Sequence, residues 1–234
     1  MRKNILYRLY GRIAAGLILT ALFLTGCQHG SQTAQDAADG LNYLIRTYNA
    51  GQQVTFPLYT AEEITQDTSR NGVELYYMPT ENAQPNQKYV LVVGGNAIVV
   101  SAEIREGIST AWNLHEMGYP VFVLRYRIGM KATNNAPLED VARAVQYITE
   151  HAEQFGVRAE DYAILSYSSG GQISGLFGTD AVGYKNYGLP KPGAMLLGYP
   201  VNTFLEFKPL YNVLLDTGVR QQRYYKMMLS DYIT

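Results

Sequence analysis

Apolar residues follow two rhythms along this chain. From Leu41 onward, short apolar runs alternate with longer stretches in which apolar residues recur every three or four positions. The first rhythm predicts strands and the second helices. Residues 73–78 alternate enough for a half-exposed strand, and residues 82–87, around Pro85, read as a turn. Tyr89-Val90-Leu91-Val92-Val93 is continuously apolar and stops at Gly94-Gly95, the pattern of a strand covered on both faces. Residues 103–117 read as a helix ended by Gly118-Tyr119-Pro120, and residues 121–126 as another strand. Leu138, Val141, Ala142, Val145 and Ile148 make one helical stripe, with Pro137 near its start and Gly156 after its end. Residues 162–165 form a strand followed by a small-residue turn and a helix, and residues 194–199 are the last clear strand. This alternation predicts an α/β fold: a mostly parallel sheet with right-handed crossovers and helices on both faces.

The segment before Leu41 has a different character. Arg2, Lys3, Arg8 and Arg12 precede an apolar stretch, residues 13–24, that suits a signal peptide and is short for a membrane span. It ends in Leu24-Thr25-Gly26-Cys27, which resembles the lipobox of bacterial lipoproteins. The resemblance implies cleavage before Cys27 and fatty-acyl attachment (palmitate) to its sulfur. The expected organisation is therefore a signal peptide over 1–26, a lipidated Cys27 with a flexible polar tether over 27–40, and one folded domain over 41–234. The expected location is the bacterial cell envelope, anchored in the membrane by lipid and facing the periplasm or the exterior. Cys27 is the sole cysteine, so no internal disulfide can form. His29 falls in the tether and receives no catalytic role.

Composition narrows the function classes. Of 234 residues, 47% are hydrophobic and 17% charged, a globular balance. The formal net charge is −1 with no run of Lys or Arg, so nucleic acid has no electrostatic footprint here. The 20 tyrosines read as half-buried packing rather than as a sugar-binding surface. No His/Cys/Asp/Glu cluster has metal-ligand spacing, and Gly94-Gly95 lacks the Lys-Ser/Thr of a phosphate loop. No cofactor is expected.

The candidate chemistry lies in Ser166-Tyr167-Ser168-Ser169-Gly170-Gly171, between a buried strand and a helix. That context suits a nucleophile elbow, where a tight turn lifts the nucleophile above the sheet edge and small residues flank it because strand and helix backbones pass close together. Ser168 is the candidate nucleophile, with Ser166, Gly170 and Gly171 as the small flanking positions. Gly94-Gly95-Asn96 follows an earlier strand; Gly95 and Asn96 are candidate backbone donors to an oxyanion, and the Ser169 N–H, at the positive end of the following helix, is the other.

With these segments in place, the chain resembles α/β-hydrolases of the esterase/lipase superfamily, in the bacterial acetyl-xylan-esterase-like and hormone-sensitive-lipase-like branch. The matching segments are Val92-Val93-Gly94-Gly95, Arg105-Glu106-Gly107, the stretch from Gly118-Tyr119-Pro120 to Arg125-Tyr126-Arg127, Ala136-Pro137-Leu138-Glu139-Asp140, the Ser168 elbow and Gly198-Tyr199-Pro200-Val201. They run from about Leu75 to Val201. The resemblance implies ester hydrolysis through a Ser168 acyl-enzyme, with small esters or acetylated saccharides as substrates. It also implies a triad in chain order Ser, Asp or Glu, His. Here His29, His115 and His151 all precede Ser168, and Asp216 and Asp231 follow it outside any recognisable acid-bearing loop. The triad acid and base are therefore not found, and the expectation is a domain whose final strands are missing. Two other readings stay open: a catalytically inactive α/β-hydrolase-like binding lipoprotein, and a serine peptidase of the prolyl-oligopeptidase type.

Overall fold

The computed structural model describes residues 29–80, 84–95, 102–132 and 134–200. The expected signal peptide over 1–26, Cys27 with its expected lipidation, Asn96, Asp216 and Asp231 lie outside the described residues.

The strands form where the sequence is apolar on every position or on every second one. They are β1 (Thr55–Pro57), β2 (Glu74–Met78), β3 (Val90–Val93), β4 (Val121–Arg125), β5 (Ala163–Tyr167) and β6 (Ala194–Gly198). Among the described residues they build one six-stranded sheet in the order β1-β2-β4-β3-β5-β6. β1 and β2 pair antiparallel, as do β2 and β4, while β4, β3, β5 and β6 run parallel. β4 thus lies between β2 and β3.

The helices are α1 (His29–Asn49), α2 (Ala61–Gln66), α3 (Ser109–Glu116), α4 (Ala136–Glu150), α5 (Ala152–Phe155) and α6 (Ser168–Phe177), with a π-helical turn over Glu103–Ile108 running into α3. The pleat divides the core between the two faces of the sheet. Leu91, Val93, Phe122, Leu124 and Ile164 pack with Val141, Val145 and Ile148 of α4 and Ile173, Leu176 and Phe177 of α6. Val90, Val92, Val121 and Val123 point the other way, onto Leu44 of α1, Ile108 and Ala111. Both faces are covered, which is why β3 and β4 carry almost no polar residue. The α/β sheet with helices on both faces matches the sequence expectation.

Two expectations need correction. Residues 29–40, expected as a flexible tether, form the first half of α1. Ala37, Gly40, Leu41 and Leu44 fall at helical spacing, and α1 docks through them. A Cβ added at Gly40 would lie 2.8 Å from Ile108 Cγ2 and 3.2 Å from Trp112 Cβ, so the helices meet at van der Waals distance. Asn113 Nδ2 also donates to Asp36 at 2.9 Å across this contact. A composition rich in small residues reads as a linker but here serves close helix packing. Gly156 ends the short α5, in the left-handed conformation (φ +66°), rather than the long α4, which stops at Glu150.

Candidate active site

β5 delivers the site. Its last residue, Tyr167, is extended, and the chain turns directly into α6 at Ser168. Ser168 has φ +52°, a left-handed conformation that an L-residue other than glycine adopts only at a cost of about 1–2 kcal/mol. This is the strained strand-to-helix turn expected for the elbow, and it puts the half-buried Ser168 at the C-terminal edge of the parallel strands. Ser166 belongs to β5, fully buried, opposite Val93 on one side and Leu197 on the other. Its hydroxyl is buried without a hydrogen-bond partner. Ser169 follows in the first turn of α6.

The glycines at the elbow are required by backbone contacts. A Cβ on Gly170 would lie 2.5 Å from both the Val93 and the Gly94 carbonyl oxygens, and one on Gly171 3.0 Å from Pro200 Cβ. Backbone atoms of β3 cannot give way cheaply. Gly170→Ala is therefore expected to destabilise the fold by about 1–3 kcal/mol, read as a lowered thermal midpoint; an unchanged midpoint would show that α6 can lift off the loop without loss.

The loop after β3 closes over this turn. The Tyr126 hydroxyl donates to the Gly94 carbonyl at 2.8 Å, and the Ala102 N–H donates to the Gly95 carbonyl at 3.0 Å. A Cβ on Gly95 would be 2.9 Å from Ser168 Cβ and 3.2 Å from the Tyr167 carbonyl oxygen. The glycine loop and the Ser168 turn are thus in contact. Gly95 also shows what that pattern missed: its N–H donates to Glu106 Oε2 at 2.7 Å. Glu106 Oε1 in turn accepts from the Tyr199 hydroxyl at 3.0 Å. Burial, then the Glu106 charge and this hydrogen bond, push the Tyr199 phenol well above its usual range.

Neither His115 nor His151 is near this edge. His115 ends α3 just before β4 begins, and it packs on Tyr43 and Trp112 with ring centroids 4.3 and 5.4 Å away. His151 follows α4 and stacks on Tyr147 at 4.2 Å. Both lie at the end of the sheet where the parallel strands start, opposite Ser168. Both pack on aromatic rings there. No group of three or more His, Cys, Asp or Glu side chains gathers as metal ligands among the described residues. No helix among them is long and apolar enough to cross a membrane.

Just after β4 lies a buried ion-pair network that sequence reasoning left as two separate segments. Asp140, fully buried on α4, accepts from Arg127 Nη2 at 2.8 Å, Arg127 Nε at 3.0 Å, the Arg127 backbone N–H at 2.8 Å and the Tyr59 hydroxyl at 2.7 Å. Arg127 also donates to Glu139 Oε2 at 3.0 Å and the Ala136 carbonyl at 3.1 Å. Burial works to lower the Arg127 guanidinium, but its hydrogen bond to Asp140 and that carboxylate's charge hold it above its usual range. Burial and the Asp140 charge push the Tyr59 phenol up.

Comparison with known proteins agrees with this architecture. Residues 75–187 match the family model described as BD-FAE. The acetyl ester-xyloside bifunctional hydrolase from Caldicellulosiruptor lactoaceticus superposes with a TM-score of 0.60 at 21% identity, over 77% of this chain and 70% of that one. The chain has the α/β-hydrolase fold. It is also 24% identical to an acetylxylan esterase of Xylanibacter ruminicola over 149 residues, 63% of its own length and 29% of the relative's. It is 26% identical to an ethyl acetate hydrolase of Pseudomonas putida over 140 residues, 57% of its own length and 43% of the relative's. The chain therefore spans less than half of either curated relative.

Proposed function

We propose that this chain hydrolyses carboxylic esters through Ser168, with acetyl esters of saccharides as the favoured substrates. One observation carries the reading: Ser168 is held at φ +52° on a strand-to-helix turn directly against the Gly94-Gly95 loop. Acyl transfer needs a serine held on such a turn beside a loop of backbone N–H donors. The Ser169 N–H in the first turn of α6 and the Gly95 and Asn96 N–H groups are the oxyanion donors in this reading. The acetyl preference draws on the similarity to an acetylxylan esterase and to a hydrolase of acetyl esters and xylosides. Lipid anchoring at Cys27 in the cell envelope is part of the same proposal, supported by the lipobox-like Leu24-Thr25-Gly26-Cys27.

A serine hydroxyl needs a base. His115 and His151 stand at the opposite end of the sheet from Ser168, and that placement favours a second reading, a saccharide-binding protein without turnover. One experiment separates the two. The chain is incubated with acetylated xylo-oligosaccharides and with an aryl acetate, while acetate release and saturable binding are followed together. Saturable acetate release supports the esterase. Saturable binding with no acetate release overturns it in favour of the binding protein.

A further inference from the structure

Glu106 stands where acyl transfer would build negative charge. Its Oε2 takes the Gly95 N–H at 2.7 Å, beside Ser168. A Cβ built on Gly95 would lie 2.9 Å from Glu106 Oε2 and 2.9 Å from Ser168 Cβ, so carboxylate and nucleophile flank the same glycine. An amide N–H points at one acceptor at a time. While Glu106 holds it, the Gly95 donor cannot serve an acyl oxygen, and a fixed carboxylate there would repel the developing oxyanion.

The backbone explains how Glu106 reaches this place. The π-helical turn over Glu103–Ile108 is wider than an α-turn: the Ala102 carbonyl accepts from the Glu106 N–H at 2.7 Å and from the Gly107 N–H at 3.4 Å. Such turns recur at functional sites. Gly107 lets the turn press onto β4, since a Cβ there would fall 2.7 Å from Val123 Cγ1. The second carboxylate oxygen is held by the hydroxyl of Tyr199, a solvent-exposed side chain that can follow Glu106 outward.

We infer that Glu106 is a displaceable internal ligand of the Gly95 amide: it closes this oxyanion donor at rest and yields it to an acyl oxygen or to a small free carboxylate such as acetate. The place of this gate in a reaction rests on the Ser168 esterase reading; its occupancy of Gly95 does not.

The test therefore has two arms on the full chain. In the first, the Gly95 amide is followed by nitrogen-15 NMR in wild type, Glu106→Ala and Glu106→Gln during titration with sodium acetate. The Gly95 amide proton is expected to move upfield in Glu106→Ala and to return saturably as acetate is added, while wild type does not respond over the same range. In the second arm, a fluorophosphonate labels Ser168, and its rate is expected to rise about tenfold in Glu106→Gln, the size of one charge-assisted hydrogen bond. The Gln variant keeps the side-chain volume, so it reports even if the Ala variant fails to fold. A Gly95 amide unmoved by both substitutions, or an equal acetate response in wild type and Glu106→Ala, overturns the inference. Slower labelling in Glu106→Gln also overturns it and makes Glu106 a positioning residue for the loop. The expected NMR result with no labelling in any variant keeps the gate and removes Ser168 as the nucleophile.

Discussion

Ser168→Ala is expected to lower hydrolysis of an aryl acetate by about 10³-fold or more, leaving at most the residue that binding and backbone donors supply. Stability should change little, because alanine meets the same left-handed backbone strain at φ +52°. Ser168→Gly separates the two roles of this position. Glycine adopts positive φ without steric cost, so this variant should be equally inactive but more stable by about 1 kcal/mol. For a domain of this size, that is a rise of roughly 2–4 °C in thermal midpoint. Activity that survives Ser168→Ala would remove Ser168 from the chemistry. A glycine variant no more stable than wild type would show that the turn stores no strain. The expected pair of results would mean that the fold pays in stability to hold one hydroxyl in place.

The second large effect lies in the core. Asp140→Ala is expected to destabilise the protein by about 3–5 kcal/mol, because it strands a buried guanidinium. Arg127 is 4% exposed and loses its principal partner. The carboxylates of Glu139 and Asp67, at 3.0 and 3.5 Å from Arg127, are themselves more than 40% exposed and only partly compensate. Thermal or urea unfolding should show a midpoint lower by roughly 10 °C or more. Arg127→Met combined with Asp140→Leu should recover most of the loss, since it removes both charges and keeps apolar volume. If the double variant is as unstable as the sum of the two single changes, the pair is not coupled and the network is not its cause. The site should feel the single change as well. Arg127 follows Tyr126, whose hydroxyl holds the Gly94 carbonyl, so loosening residue 127 loosens the glycine loop.

Much of this was legible in the sequence because burial on both faces leaves a simple mark. β3 and β4 appear as unbroken apolar runs, and α4 as a clean stripe from Leu138 to Ile148. The elbow was legible through its small residues, which backbone contacts at Gly170 require. What escaped is what depends on meetings across the fold. Nothing in the local pattern says that Arg127 and Asp140 share a buried site, although both segments stand out separately. Glu106 looks like any helix-surface carboxylate until a π-turn aims it at Gly95. α1 escaped for the opposite reason: Ala37 and Gly40 suggest a loose linker by composition, and only the close approach of Gly40 to Ile108 and Trp112 reveals a docked helix. β1, three residues long at the sheet edge, carries too few positions to show any period.

The placement of β4 between β2 and β3 also sets an order in time. Strand β2 is made early, but its partner across residues 74–78 is residues 121–125, so on a chain emerging from its N-terminus β2 has only β1 to pair with until β4 arrives. β3 likewise waits for β5 to fill its other side. The sheet cannot zip up hairpin by hairpin, and non-local pairing of this kind slows folding. A half-made chain therefore presents unpaired apolar strands for longer than a meander of the same length would, and during that interval chaperone capture competes with aggregation.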